Sequence, residues 1–291
     1  MLKLVIPKGS LERATFDLFE QADLKVNRGS DREYRGSIED PRIDSVAILR
    51  PQEIPSYVEE GFFDLGVTGE DWIAETGADV VKVTPLDYSK QTDRPVKIVL
   101  AAPHDAGITA PEQIKPDARI STEFPNLTRA YFDKLGIPVR IFLSYGATEA
   151  KVPEIVDAIV DLTETGSTLR RHGMEIIDVL LESRTHLIAN KGSWEDAAKK
   201  VAMEELKILL QGAVDARGRV LVKLNVQEAS LEKVVELLPA MRAPTVSELA
   251  VKGFFAVETI VPKATINTLI PKLKALGAED IIELPVTKIV P

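Results

Sequence analysis

Asp157–Gly173 reads DAIVDLTETGSTLRRHG. An apolar run of strand composition ends in hydroxyl side chains around Gly166, with Asp161 and Glu164 just upstream and no lysine after the glycine. In an open parallel sheet, ligands lie beyond the carboxyl ends of the strands, and this stretch puts residues 164–168 at such an end. Gly166 lets the backbone turn tightly and come close to a ligand. The N–H groups of Thr165, Gly166, Ser167 and Thr168 can form a concave nest for a phosphate, and their hydroxyls add donors. Asp161 and Glu164 would repel a phosphate, but they suit ribose hydroxyls or a divalent ion. A nest beside acids therefore points to a sugar phosphate. Without a Gly-Lys-Ser/Thr ending, the loop is not that of a P-loop nucleotide hydrolase. Strand-to-helix loops of this composition that bind nothing are also common.

Working outward, strands and helices alternate. LKLVIP is read as a strand, with Ser10 as cap of a helix carrying Leu11, Ala14 and Leu18. VAILRP follows as a strand, QEIPSYVEEG as a short helix ending at Gly61, FDLGVTG as a strand with a helix from Trp72 and Ile73, and DVVKVTPL as a strand. After SKQTDRP the pattern restarts. VKIVLAAP, ARISTEFP and VRIFLSYG read as strands, NLTRAYFDKLG as a helix with Leu127, Tyr131 and Leu135 on one stripe, and EAKVPEIVD as a helix. Such alternation predicts parallel sheets covered on both faces. RTHLIAN returns as a strand toward the first unit, and Ser193 and Asp196 cap a helix to about Gln211. The remainder, from RVLVKLNV through SLEKVVELLPAM, TVSELAV, FFAVETIVP and TINTLIPKLKALG to DIIELPVTKIV, runs β-α-β-β-α-β, a ferredoxin-like order.

The 291 residues suffice for two or three domains with a sizeable core. A net charge of −9 argues against a general nucleic-acid binder. The absence of cysteine excludes disulfides, thiolate zinc and a cysteine nucleophile. His104, His172 and His186 are scattered and read as surface, loop or strand residues. The start, MLKLVIPKGS, has no signal-peptide core, and no apolar run is of membrane-spanning length, so a cytoplasmic, non-membrane protein is expected.

Other strand ends carry candidates, each beside a plainer reading. Lys8 and Gly9 in PKG could meet a phosphate, or form a surface turn. Arg50 in LRPQEIP could clamp a phosphate with its fork of donors, or pair with a nearby acid. Thr68, Gly69, Glu70 and Asp71 could take ribose hydroxyls, or cap a helix with favourable first-turn acids. Ser121, Thr122 and Glu123 precede Asn126, which suits a helix cap. Trp72 and Trp194 read as core residues.

Five ordered stretches, LVIPKGSL, LRPQEIPSYVEEGFFDLGVTGEDW, ISTEFPNLTRAYF, GATEAKVPEIVDAIVDLTETGSTLRRHGMEI and RAPTVSEL, closely resemble the long form of the ATP phosphoribosyltransferases of histidine biosynthesis. The resemblance runs the length of the chain. It implies two periplasmic-binding-protein-like α/β lobes, residues 1–95 with 184–211 and residues 96–183, and a ferredoxin-like regulatory domain over 212–291. It also implies the reaction: ATP and 5-phosphoribosyl 1-pyrophosphate, with Mg²⁺, give N1-(5-phosphoribosyl)-ATP and pyrophosphate. It further implies that histidine acts as feedback inhibitor and that the chain forms dimers and hexamers. Carried onto this chain, the loop Glu164, Thr165, Gly166, Ser167 and Thr168 cradles the 5-phosphate. Asp161 lies by the ribose with Asp157 behind it. Lys8 and Arg50 supply charge for phosphates, with Gly9 beside them, and Asp71 takes a ribose hydroxyl. Glu149 positions substrate, and Mg²⁺ is held mainly by substrate phosphates. Asn225 and Thr245 line the histidine pocket. This chain has Glu164 where relatives often have an apolar residue or serine, and Asn225 where some have an acid.

Three rivals are weighed against this. A solute-binding protein shares the two-lobed fold but calls for export. A phosphoribosyltransferase of the single-sheet type calls for two adjacent acids, whereas Leu162 follows Asp161. An amino-acid sensor leaves the first 210 or so residues unexplained.

Overall fold

The structure is a computed structural model that describes residues 1–30, 32–88, 95–239 and 243–291. The stretch between DVVKVTPL and VKIVLAAP falls largely outside the described residues, as do Ala240, Met241 and Arg242. The chain divides into two compact units, Met1–Lys207 and Ile208–Pro291.

The elements are, in order, β1 Leu2–Pro7, α1 Glu12–Gln21, β2 Val26–Asn27, β3 Arg35–Ile38, β4 Ile43–Leu49, α2 Ile54–Glu59, β5 Leu65–Gly69, α3 Glu70–Thr76 and β6 Val81–Pro85. Then come β7 Val96–Pro103, β8 Arg119–Thr122, α4 Pro125–Leu135, β9 Arg140–Leu143, β10 Ala158–Thr163, α5 Ser167–Arg171 and β11 Met174–Ser183. The first unit is completed by β12 Thr185–Ala189, α6 Lys191–Glu195 and most of α7 Ala197–Ala216.

The first unit has two lobes. One is a seven-stranded sheet of order β2-β3-β4-β1-β5-β12-β6, the other a five-stranded sheet of order β11-β7-β10-β8-β9. Each has a parallel heart, β4-β1-β5 in the first and β10-β8-β9 in the second. The expectation of purely parallel sheets is corrected: β7 runs against β10 and β11, and β12 against β5 and β6. These reversed strands are the ones next to the passages between lobes. β11 ends at Ser183 and β12 begins at Thr185, so Arg184 alone joins the sheets there. Arg184 in turn donates to Asp87 beside the other passage (2.6 Å). The β2/β3 pair was missed because LKVNRGSDREYRGSIED is too charged to show a strand period.

Local expectations fail for identifiable reasons. Ser10 does not cap α1. The Gly9 N–H donates instead to the Glu12 carboxylate (3.2 Å). On α4 the buried face is Thr128 and Phe132, so the Leu127–Tyr131–Leu135 stripe lies along its flank. Burying Phe132 together with Phe124 is worth about 1.5–3 kcal/mol each. EAKVPEIVD forms only a 3₁₀ turn, Thr148–Lys151, because the residue before Pro153 is held extended. The Trp72 helix starts two residues early, at Glu70. Asn190 caps α6 and Asp196 caps α7, which runs to Ala216 rather than Gln211.

The segment after β12 is tied back to the first lobe through Asp64. Its carboxylate accepts from the Lys3 N–H (2.7 Å), the Ser193 hydroxyl (2.6 Å) and Lys199 (2.7 Å). Burial pushes this carboxyl up, but the three donors outweigh burial and hold it below its ordinary value.

The second unit contains β13 Arg219–Gln227, α8 Glu228–Leu237, β14 Thr245–Glu248, β15 Phe254–Pro262, α9 Ile266–Ala275 and β16 Glu279–Pro285. Its antiparallel sheet has the order β14-β15-β13-β16, which is ferredoxin-like. Val220, Val222, Leu224 and Val226 alternate onto the buried face, against Val234 of α8 and Leu269 and Leu273 of α9. No helix among the described residues is long and apolar enough to cross a membrane.

Candidate active site between the two lobes

Parallel pairing of β1 with β4 sets Pro7 beside Leu49, so the residues that follow, Lys8–Gly9 and Arg50, emerge together. Gly9 has φ +90°, and a Cβ there would lie 3.5 Å from Arg50 Nη1. Lys8 holds its ammonium 4.0 Å over the Tyr34 ring. Neither cation forms an ion pair among the described residues.

At the carboxyl end of β5, Asp71 is buried in the first turn of α3. The Ser183 hydroxyl donates to its Oδ1 (2.7 Å), and the Asp71 N–H donates to Ser183 Oγ (3.0 Å). Burial raises the Asp71 carboxyl above its ordinary value, restrained by Ser183 and by the N–H groups of Asp71 and Trp72. A Cβ at Gly69 would lie 2.0 Å from Asp71 Oδ1, so any larger residue there would displace this carboxylate. Asp71 faces a cavity of ≈ 220 Å³ whose walls include Gly69 and Trp72 from the first lobe, Leu162 and Glu164 from the second, and Ser183 at the passage between them. Sequence reading missed Ser183, because nothing in LLESRTH marks a serine that reaches a carboxylate more than a hundred residues away.

In the second lobe Gly166 has φ +71° and opens α5. The loop is partly closed on itself. The Gly166 N–H donates to Thr163 Oγ1 (2.8 Å), the Ser167 N–H to Thr165 Oγ1 (3.4 Å), and Arg170 Nη2 to the Thr165 carbonyl (2.9 Å). Thr165, Ser167 and Thr168 stay exposed. Of the three histidines, His172 sets Nδ1 against the Thr168 carbonyl (2.9 Å), His104 meets Glu175, and His186 is a half-buried residue of β12.

Asp161 lies near the end of β10. Burial, with Glu149 and Glu123 close by, pushes its carboxyl up to about 6, against the Leu162 N–H and the Thr148 hydroxyl that bond to it. Three acids thus share one corner.

Asp157 is a correction. It precedes β10, at the opposite end from the 164–168 loop, and its carboxylate is gripped by Arg119 (Nη2–Oδ1 2.7 Å, N–Oδ2 2.8 Å). Six strand residues at about 3.3 Å each keep it from the loop, so it fastens β10 to β8 and does not back the ribose site. Asn126 is not the cap of α4 either. Glu75, from the C-terminal part of α3 in the other lobe, takes that place, accepting from the N–H groups of Asn126 (3.0 Å) and Leu127 (2.9 Å). Burial raises the Glu75 carboxyl, and those two donors restrain it. Trp72 packs on Phe124 across the same boundary, with centroids 4.7 Å apart. In the second unit Asn225 and Thr245 share the sheet face away from the helices. They sit on different strands with β15 between, and Asn225 Nδ2 donates to Asp280 (2.9 Å).

No three His, Asp or Glu side chains among the described residues converge as a metal cage.

The chain was compared with known proteins. The family model described as ATP phosphoribosyltransferase matches residues 50–212, and that described as HisG, C-terminal domain, matches residues 216–288. The chain is 45% identical over 290 residues to the ATP phosphoribosyltransferase of Pelotomaculum thermopropionicum, covering 100% of this chain and 99% of that one. It is 46% identical over 290 residues to the protein of that name from Chlorobium chlorochromatii, covering 100% and 98%. Among solved structures, the ATP phosphoribosyl transferase (HisG:HisZ) complex from Thermotoga maritima matches with a TM-score of 0.61 and 31% identity, over 72% of this chain and 99% of that one.

Proposed function

This chain belongs to the ATP phosphoribosyltransferase family, enzymes of histidine biosynthesis, and on that premise we propose how its residues carry out the transfer. The adenine N1 lone pair attacks C1 of the phosphoribosyl donor. The C1–oxygen bond breaks, its electron pair leaves with pyrophosphate, and the sugar passes through a cationic, oxocarbenium-like state. No protein nucleophile is required, which suits a chain without cysteine.

The 164–168 loop holds the donor's 5-phosphate, so the Gly166 and Ser167 amides exchange their internal partners for phosphate oxygens. Asp161 stands by the ribose, where its negative charge favours the developing cation. Glu149 helps to position the sugar. Lys8 and Arg50, with Gly9 allowing their close approach, take phosphate charge, and Asp71 receives a ribose hydroxyl. When bound, Mg²⁺ neutralises charge on the departing pyrophosphate and is carried by the substrates' phosphates. The reaction is placed in the cytoplasm. The observation that carries this reading is the convergence of the strand ends of both lobes, at Asp71 and at Leu162–Glu164, on one cavity.

Histidine acts as feedback inhibitor at the second unit, near Asn225 and Thr245, in a chain that assembles as dimers and hexamers. The test is direct. The protein with ATP, the donor and Mg²⁺ should raise the absorbance of N1-substituted adenine, and folded protein giving no product would refute the transfer. Millimolar histidine should slow the reaction, and Thr245→Ala should relieve that inhibition with the uninhibited rate unchanged. An inhibition identical in the variant would remove Thr245 from the pocket.

A further inference from the structure

Ser183 closes β11, in the sheet of the second lobe, yet its hydroxyl serves a residue of the first. The antiparallel register of β12 on β5 pairs Thr185 with Gly69. Carried two residues past the ladder, that register sets Ser183 opposite Asp71. The Glu70 N–H donates to the Arg184 carbonyl between them (2.9 Å). Main-chain pairing therefore brings this hydroxyl to this carboxylate.

A backbone N–H can only donate, so the Asp71 N–H, at 3.0 Å, makes Ser183 Oγ an acceptor. The hydroxyl has one proton, and it goes to Asp71 Oδ1 at 2.7 Å. Both bonds end on the same residue. They close a ring that fixes the Asp71 side chain against its own backbone. Asp71 and Ser183 are 4% and 1% exposed, and both line the ≈ 220 Å³ cavity between the lobes. The bond from Ser183 also works against the burial that raises this carboxyl.

Ser183 has a plainer role as well. Gly69, at the cap position of α3, brings no side chain, and Ser183 Oγ takes one of the helix's first N–H groups in its place. Capping needs only an acceptor, however. The proton that Ser183 gives to Oδ1 does nothing for the helix and acts on the carboxylate alone.

We propose that Ser183 is a positioning residue for substrate binding, holding the Asp71 carboxylate in the orientation that receives the ribose hydroxyl. The inference rests on the role given above to Asp71.

The test measures kcat and KM, with ATP and the ribosyl donor each varied, for wild type, Ser183→Ala, Ser183→Thr, Asp71→Ala and the Ser183→Ala, Asp71→Ala double variant. Asp71→Ala should raise the KM of one substrate about 30-fold, as for a lost hydrogen bond to a charged group. Ser183→Ala should raise the KM of that same substrate about fivefold, with the other KM and kcat within about twofold. Ser183→Thr, which keeps the hydroxyl and suits a strand, should recover the wild-type values. The double variant should match Asp71→Ala alone. Wild-type KM values in Ser183→Ala, with a lowered melting temperature, would leave Ser183 as a helix cap and overturn this inference alone. A further rise of KM in the double variant does the same. Should Ser183→Ala fail to fold, Ser183→Cys, of similar size but with a weak S–H donor, takes its place with an expected rise of about threefold, and an unchanged KM there is equally fatal. Asp71→Ala with both KM values unchanged overturns the role of Asp71 and the inference with it.

Discussion

The two lobes of the first unit offer opposite chemistry from matching places. At the strand ends of the first, Lys8 and Arg50 form no ion pair among the described residues and lie beside a glycine with φ +90°. At the strand ends of the second, Asp161, Glu149 and Glu123 crowd together, and Lys151 is turned inward onto hydroxyls. In the reading proposed above, Lys8 and Arg50 on one rim take phosphate charge, and Asp161 on the other stands by the sugar where positive charge develops. A transfer that expels pyrophosphate and passes through a sugar cation needs both. The contrast shows that one sheet design can be specialised by the few residues just past its strands.

The sharpest way to break this contrast is to neutralise the first rim. Arg50→Met should lower kcat/KM by roughly 10²–10³-fold, and Arg50→Lys should recover only part, because a point charge does not replace a planar fork. Steady-state kinetics with both substrates varied would check this. A loss below about threefold would mean that Arg50 is only a surface cation.

Neutralising the second rim should separate activity from stability. Asp161→Asn is expected to cost about 10²-fold in kcat, yet to stabilise the fold near pH 7 by about 2 kcal/mol. The sign follows from its carboxyl being raised to about 6. The native state binds this proton more tightly than the unfolded chain, so the stability of wild type falls as pH rises from about 4 to about 6. The advantage of the variant should shrink to nothing at pH 4, measured by denaturant melts across pH. An advantage that persists there would contradict the assignment.

Gly166→Ala sharpens the comparison within the loop. Alanine at φ +71° costs about 1–2 kcal/mol, and its Cβ would meet Arg170 Nη1 at 2.9 Å and Ile176 Cδ1 at 3.0 Å. The KM for the ribosyl donor should rise about tenfold, with that for ATP little changed. The smallest effect expected is for Glu75→Gln, which keeps an acceptor for α4 but removes the charge. It should cost about 0.5–1 kcal/mol, seen as a small fall in melting temperature.

The strand-and-helix alternation and the β-α-β-β-α-β tail were legible because periodicity survives in single strands such as LKLVIP and RVLVKLNV. Strand direction was not, since β7 and β12 are reversed only by where the chain passes between lobes. The strand-end positions of Arg50 and of the 164–168 loop were legible, because a turn-forming Pro or Gly follows an apolar run in each case. Asp157 misled because the six residues of β10 separate it in space from the loop, a distance that the motif DAIVDLTETG conceals. Ser183, Glu75 and Lys151 act through partners 112, 51 or 52, and 7 residues away along the chain, and no local pattern marks such pairs.

The one-residue link at Arg184 has a mechanical consequence. Ser183, whose hydroxyl steadies the buried Asp71, is the last residue before it. Any swing of one sheet against the other turns on backbone torsions that also carry that hydroxyl. The joint and the grip on the carboxylate therefore lie on adjacent residues, Arg184 and Ser183.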